Sequence, residues 1–412
     1  MKGDRRDRLA YTLALSVCMM AAASRVGTVG LLPDRMLLHP GVTADLPVSM
    51  AVSAGVDTPG NVIANLERNG SGGGLRLTAG EAGETSVTFK LLGVLPVASM
   101  DVSVQERRVL VPGGQSVGVA INAGGLVVVG SSDLGNTPSP ARLAGLKTGD
   151  VITRVDGRPV GSAEQFAAMI GDEAADIELE RDGETLRMDV QPAVDSRDGA
   201  YRLGVWVRDS TAGVGTLTFY DPQSRDFGAL GHAITDVDTG VLMPVGEGAI
   251  YENAVVEVTP GVEGAPGELT GDFFLTGNAI GSVDVNSDCG IFGTSDRAFE
   301  NSLYPEGLPV AARSEVRPGP ATLLTTLADG ALREYACEIT RINPHSVENT
   351  RSMVVRIIDP ELIEKTGGIV QGMSGSPIIQ DGKLVGAVTH VLVNDPTTGY
   401  GIFIENMLDA AA

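Results

Sequence analysis

At 412 residues the chain is long enough for two or three domains with separate cores. Its 30 basic and 52 acidic residues leave a net charge of -22, which argues against a nucleic-acid partner. Aromatics make up 4% while glycine counts 54, a balance that suits β-rich domains with many tight turns and excludes a long helical bundle.

Lys2, Arg5, Arg6 and Arg8 precede an apolar run at residues 9–23 that closes on Ala21-Ala22-Ala23-Ser24. This is the layout of a secretory signal or signal anchor, assigned here to residues 1–32. The run falls short of the ~20 residues usual for a spanning helix. Residues 26–32 lengthen it past the single Arg25. The positive flank keeps the N-terminus inside and everything after it outside. An exported chain that touches the membrane through its N-terminal segment is the expectation, whether or not that segment is later removed. Cys18 lies in the run. Cys289 and Cys337 remain, with no spacing that demands a bridge and no zinc pattern.

Residues 44–106 read as a small β-rich module, with strand-like pieces at 46–53, 85–92 and 100–104 and a flexible turn at Gly70-Ser71-Gly72-Gly73-Gly74. No chemistry is legible in it. Residues 107–194 change character. Ala144-Gly145-Leu146-Lys147-Thr148-Gly149-Asp150-Val151-Ile152, followed by Asp156-Gly157-Arg158-Pro159, resembles a PDZ domain of the bacterial, protease-linked type. Ser162 with Gln165 forms a capping box for a helix to about Ile170. Two strands near 177–181 and 185–190 are joined at Asp182-Gly183. The glycine-rich turn Gly113, Gly114, Gln115, Ser116, Val117, Gly118 would offer N–H groups to a peptide carboxylate. The peptide itself would add as a strand beside residues 117–121, facing the 163–170 helix. One candidate ligand is the chain's own N-terminal segment around residues 31–42. The simpler reading is a glycine turn with no ligand.

Asp195 to Ala200 is a polar linker. From 201 to 412 short strand signals recur with no long amphipathic helix between them, which suits two six-stranded barrels. The chemistry lies in Gly367-Gly368-Ile369-Val370-Gln371-Gly372-Met373-Ser374-Gly375-Ser376-Pro377. This G-x-S-G-x-P form is the nucleophile loop of chymotrypsin-like serine peptidases. Gly372 and Gly375 permit the tight turn, Ser374 presents its hydroxyl, and the N–H groups of Gly372 and Ser374 converge on an oxyanion. A plain glycine turn between strands is the competing reading.

Ser374 needs a base, and the chain has four histidines. His39 is near the membrane end, His345 is in a loop, and His390 follows an apolar strand. His232, about 140 residues before the serine, fits a histidine in the first barrel opposite a serine in the second. For the third member, Asp359 ends a hydrophobic strand, with Asp236, Asp238 and Asp284 as competitors. Asp236-Val237-Asp238-Thr239-Gly240 has the look of a calcium loop but lacks its remaining ligands, so no metal or cofactor is expected.

These segments, together with residues 204–213, 228–232, 386–391 and 394–401, resemble the stage IV sporulation protein B peptidases of endospore-forming bacteria. The resemblance implies a mainly β chain: membrane anchor, small β module, PDZ domain and a C-terminal chymotrypsin-like double β-barrel. It implies a serine endopeptidase that is exported to the space between the forespore membranes and cleaves itself near its N-terminus. It further implies cleavage of a membrane-tethered regulator, which leads to processing of pro-sigma-K. The family's His and Ser map to His232 and Ser374, and its proposed Asp to Asp359. Two other readings compete: a PDZ adaptor whose barrel only binds, and an envelope quality-control protease, a kind that places its PDZ after the protease domain.

Overall fold

The computed structural model describes residues 32–57, 60–69, 74–272, 278–343 and 349–411. The apolar run at 9–23, most of the 70–74 turn and His345 lie outside the described residues. The described chain divides into two compact units, residues 1–108 with 309–317, and residues 109–308 with 318–412.

The first unit packs a four-stranded sheet on a three-stranded one. Gly83–Leu91 and Leu95–Val104 form its central hairpin. Along Gly83–Leu91, Thr85, Val87 and Phe89 point inward in alternation, the period-2 signature of a half-buried strand. Val87, Phe89, Met100 and Val102 then meet Leu46, Leu75 and Leu77 of the other sheet. The sequence piece at 46–53 is not one strand: it joins the end of Thr43–Leu46 to the start of Val52–Val56. The return of 309–317 to this unit had no sequence signal. It is held by Arg107, which forks onto Glu315 at 2.8 and 3.0 Å and donates to the Val310 carbonyl at 2.6 Å.

The second unit is organised on two strands of 16 residues each, Ser116–Ser131 and Val205–Tyr220, paired antiparallel along almost their whole length. Their outer ends belong to the PDZ domain, where Leu126 and Val128 join the core of Ile152, Phe166, Ile177 and Leu179. Their inner ends belong to the first barrel, where Val117, Val119 and Ile121 join Leu217, Phe227 and Ile250. Register shifts at Trp206/Val207 and Arg208/Ser210 let one strand serve both cores.

In the PDZ domain Ser139 caps the helix Pro140–Ala144 and Gly145 ends it in the left-handed region. Asp150 is buried, accepts from Lys147 N–H, and takes both arms of Arg181 at 2.6 Å each. Ser162 caps the helix Ala163–Met169 as read, but the Gln165 side chain reaches back to Gly161 rather than to Ser162.

The peptide site expected at Gly113, Gly114, Ser116, Val117 and Gly118 is corrected by the pairing. The N–H groups of Gly113 and Gly114 donate to Thr218 and Leu217 carbonyls. Residues 117–121 are paired on one side with Val205–Tyr220 and on the other with Glu247–Glu252. Neither a free amide nor a free edge is left for a peptide, because the turn is built into the barrel.

The C-terminal barrel is closed by six strands: Gly319–Thr326, Leu332–Ile342, Met353–Ile357, Asp395–Phe403, Lys383–Leu392 and Pro377–Gln380. The first barrel is a half-barrel. Among the described residues its seam between Gly281–Ser282 and Gly290–Thr294 carries a single β-bridge, Gly281 with Ser295, rather than a continuous ladder. Cys289 and Cys337 are both buried, and no disulfide joins them.

The Asp150–Arg181 pair generates a prediction. Asp150→Ala removes both of these charge-assisted bonds and leaves half-buried Arg181 with the Gly145 carbonyl, so urea unfolding should register a loss of about 2–3 kcal/mol. A loss below 1 kcal/mol would show that the pair does not hold the domain.

Candidate active site

The nucleophile loop is shaped by what glycine alone permits. The helix Pro360–Thr366 ends at Gly367, whose φ is +73° and where a Cβ would lie 2.1 Å from the Gly261 carbonyl oxygen. At Gly375, with φ +97°, a Cβ would lie 2.1 Å from the Thr216 carbonyl oxygen. Two threonines on the strand Val205–Tyr220 then hold the turn. Thr216 Oγ1 donates to the Gly372 carbonyl at 2.7 Å and Thr218 Oγ1 to that of Gly375 at 2.8 Å, while Thr216 N–H donates to the Ser374 carbonyl at 2.9 Å. These threonines were missed as site residues. Their signal was two hydroxyls at alternate positions of the otherwise apolar end of that strand, residues 212–220.

With the Gly372 carbonyl turned to Thr216, the N–H groups of Gly372 and Ser374 have no protein acceptor among the described residues. Two unpaired amides, the serine's own and that of the residue two before it, are what an oxyanion hole of this loop form requires. Ser374 is half-buried, and its Oγ donates to the Thr389 carbonyl at 2.8 Å. Ser376 is fully buried, with no hydrogen-bond partner for its hydroxyl, and is out of reach of a substrate.

His232 reaches the same place from the other barrel. Leu230 and Gly231 take φ of +70° and +71°, and this left-handed pair turns the chain out of Asp226–Ala229. Gly231 packs against Thr389, where a Cβ would sit 3.0 Å from its methyl group. His232 Nδ1 bonds the Ala233 carbonyl at 2.8 Å. Because that partner is an acceptor, Nδ1 carries the proton and Nε2 of the neutral ring keeps its lone pair for a serine proton. The rings of His232 and His390 stack obliquely, centroids 5.0 Å apart. Thr389 is thus where the segments that carry Ser374 and His232 meet, with Ser374 Oγ on its carbonyl rather than on the imidazole.

Burial holds both imidazoles toward the neutral form. It lowers His232 below the ordinary histidine range against the opposing pull of the Ala233 carbonyl. His390 is pushed down to about 4, by burial first and then by the charges of His232 and Arg351.

The structure does not bring Asp359 to His232. Its Oδ1 accepts from the N–H groups of Glu361 and Leu362 at 3.0 and 3.2 Å, and its Oδ2 from Ala336 N–H at 3.1 Å. It is the N-cap of the helix that leads into the nucleophile loop. The competitors are also engaged elsewhere. Asp236 is paired with Arg208 and holds the turn through Thr239, Asp238 meets Arg208 at 3.0 Å, and Asp284 contacts Ser282. His39 is buried in the first unit on the Gln105 carbonyl.

A half-barrel and a barrel joined by a serine loop, a histidine at their seam and a PDZ domain on shared strands define a PDZ-bearing serine peptidase of chymotrypsin-like fold. The profile of the SpoIVB peptidase S55 family matches residues 199–408, about half of the chain, and a PDZ profile matches 135–181. The chain belongs to the SpoIVB peptidase S55 family. No curated protein matches it. Among solved structures, the PDZ domain of an SdrC-like protein from Listeria monocytogenes is 24% identical over 20% of this chain and 86% of that one, with a TM-score of 0.18. The active form of the Rv3671c protease from M. tuberculosis is 17% identical over 49% of this chain and 75% of its own, with a TM-score of 0.28. Its inactive form gives 16%, 48%, 82% and 0.26.

Two predictions follow from the geometry. A histidine with a lowered folded pKa binds fewer protons folded than unfolded, so stability drops as pH falls below about 6.5 toward about 4. The thermal midpoint should fall across that window, and His390→Gln should flatten the fall; an unchanged slope would rule out His390 as a source. Asp359→Ala should cost about 1–2 kcal/mol as a lost cap, and Asp359→Asn less, with the acid limb of the turnover–pH profile unmoved in both. A turnover loss on the order of 10⁴ at unchanged stability would place the carboxylate on His232 instead.

Proposed function

We propose that this peptidase is an exported, membrane-tethered endopeptidase that processes itself near its N-terminus. On the same reading it cleaves a membrane-tethered regulator during sporulation, and so leads to processing of pro-sigma-K. The observation that supports the peptidase chemistry is that Ser374 Oγ bonds Thr389, the residue against which Gly231 beside His232 packs, in a loop whose Gly372 and Ser374 amides have no acceptor among the described residues. The sporulation setting, the substrate and the export rest on the family resemblance and on the apolar run behind Lys2, Arg5, Arg6 and Arg8.

The reaction follows from those groups. Ser374 Oγ leaves the Thr389 carbonyl, gives its proton to His232 Nε2 and attacks the scissile carbonyl. The oxyanion is met by the Gly372 and Ser374 amides. His232 returns the proton to the leaving amine, and water later cleaves the acyl-enzyme by the same route. The Ala233 carbonyl keeps Nδ1–H in place throughout.

For a peptide ligand of the PDZ domain, the available edge is that of residues 205–209. Val205 to Arg208 pair with the strand Ser116–Ser131 on one side only. The helix Ala163–Met169 is tied to this segment through Ala163 N–H and the Asp209 carboxylate at 3.1 Å. A bound peptide would add there, preceded by the Leu203-Gly204 turn. The chain's own residues 35–38 are not free to serve, since Arg35–Leu38 is paired in the first unit and Leu38 is fully buried.

Fluorophosphonate labelling tests the reading. Wild type should label at Ser374, and Ser374→Ala should lose label and on the order of 10⁴-fold or more in cleavage. His232→Ala should be equally damaging, and the double variant no worse. An unlabelled, inactive wild type would favour the adaptor reading, for which the open PDZ edge is the supporting feature.

A further inference from the structure

The first unit carries a cluster of apolar side chains that its fold does not use. The turn between Gly83–Leu91 and Leu95–Val104 is Leu92-Gly93-Val94, closed by Val94 N–H on the Leu91 carbonyl at 3.2 Å. Leu92 is 78% exposed, Val94 82% and Leu95 60%. Met50, 77% exposed, stands beside them, since Leu92 N–H donates to the carbonyl of the next residue, Ala51, at 2.7 Å. Leu92 has φ +52°, a left-handed conformation that glycine or asparagine ordinarily fills in a turn. A leucine held there without burial meets a steric cost and gains no packing from this unit. An uncharged eight-residue stretch, 91–98, surrounds the turn.

The register says where the turn faces. Arg35–Leu38 runs parallel to Leu95–Val104, with Arg35 opposite Asp101 and Leu38 opposite Val104. The chain therefore enters the sheet from the end where the turn projects. Asp34 continues the pairing toward that end, its carbonyl accepting Asp101 N–H at 2.9 Å. Six residue steps separate the levels of Asp101 and Leu95, so the turn stands roughly 20 Å beyond Arg35. Only residues 24–34 separate Arg35 from the apolar run at 9–23, a tether of at most about 40 Å. Two cations flank the turn: exposed Lys90, paired with Pro96 beside it, and Arg68, whose guanidinium bonds the Ser49 and Val52 carbonyls on either side of Met50.

We propose that the Leu92–Val94 turn with Met50 dips into the outer face of the membrane that holds the apolar run. Apolar side chains at the tip enter the headgroup boundary, and Lys90 and Arg68 meet anionic lipid headgroups. The first unit is then a membrane-seated base with a fixed orientation rather than a freely swinging spacer. The proposal rests on the reading that residues 9–23 lie in a membrane.

The test uses the full chain with Cys18→Ser, reconstituted into phosphatidylethanolamine–phosphatidylglycerol vesicles. A polarity-sensitive thiol dye is placed at Val94→Cys, or at Glu81→Cys, which is exposed and precedes the far end of Gly83–Leu91. Flotation with the vesicles reports the anchor independently of the dye. The expected result is that the dye at 94 shifts to the blue, is shielded from iodide and is quenched by acyl-chain nitroxides, whereas the dye at 81 stays open to iodide. With Leu92→Asp and Val94→Asp in a chain labelled at Met50→Cys, the dye at 50 should lose its shielding severalfold while the circular dichroism is unchanged. Floating protein with an iodide-accessible dye at 94 overturns the proposal and leaves the anchor standing. Protein that does not float removes the anchor reading and the proposal together. Shielding at 94 without vesicles would assign the turn to contact between copies and overturn the proposal.

Discussion

The catalytic arrangement depends on one strand carrying hydroxyls to a loop in another barrel. Thr216 and Thr218 are buried on Val205–Tyr220, and each donates to a carbonyl of the nucleophile turn. Those two bonds, with Thr216 N–H on the Ser374 carbonyl, fix the peptides that follow Gly372, Ser374 and Gly375, while the N–H groups of Gly372 and Ser374 themselves have no acceptor among the described residues. A hydroxyl donor inside a barrel is exposed to little competing water, so the bond is firm and its loss leaves an unpaired carbonyl.

The same strand carries the PDZ domain. Because Ser116–Ser131 and Val205–Tyr220 run through both bodies, the PDZ core and the half-barrel core share a backbone rather than a linker. A peptide adding beside residues 205–209 would lengthen the sheet whose other end holds Thr216. That gives a physical route from ligand to nucleophile loop, carried by one continuous strand. The route has two register shifts in it, near Trp206 and Arg208, where the strand can change its twist.

The resting state is poised rather than assembled. Ser374 Oγ bonds the Thr389 carbonyl and His232 Nδ1 bonds its neighbour's carbonyl, so neither of these bonds joins the two side chains. Asp359, meanwhile, shapes the loop from a distance by capping the helix that ends at Gly367. A carboxylate that accepts three backbone N–H groups is held in place by them, which suits positioning and leaves little capacity for an imidazole.

The amino-acid sequence alone determined the nucleophile turn, because Gly367, Gly372 and Gly375 are demanded by local backbone geometry and mark their own position. It singled out His232 as the candidate base through its spacing from Ser374, and it marked the PDZ elements through their caps and the Asp182-Gly183 hairpin. Local rules of that kind act over a few residues and can be read from a few residues. Only the tertiary structure decided what depends on pairing between distant segments. Asp359 at the end of an apolar strand reads equally well as a triad acid or a helix cap until Ala336 is brought to it. Residues 117–121 read as an open edge until Glu247–Glu252 is laid beside them. Thr216 and Thr218 looked like ordinary strand threonines until a loop more than 150 residues later in the chain arrived above them. A strand's two edges and a side chain's partner are long-range quantities, and no local pattern encodes them.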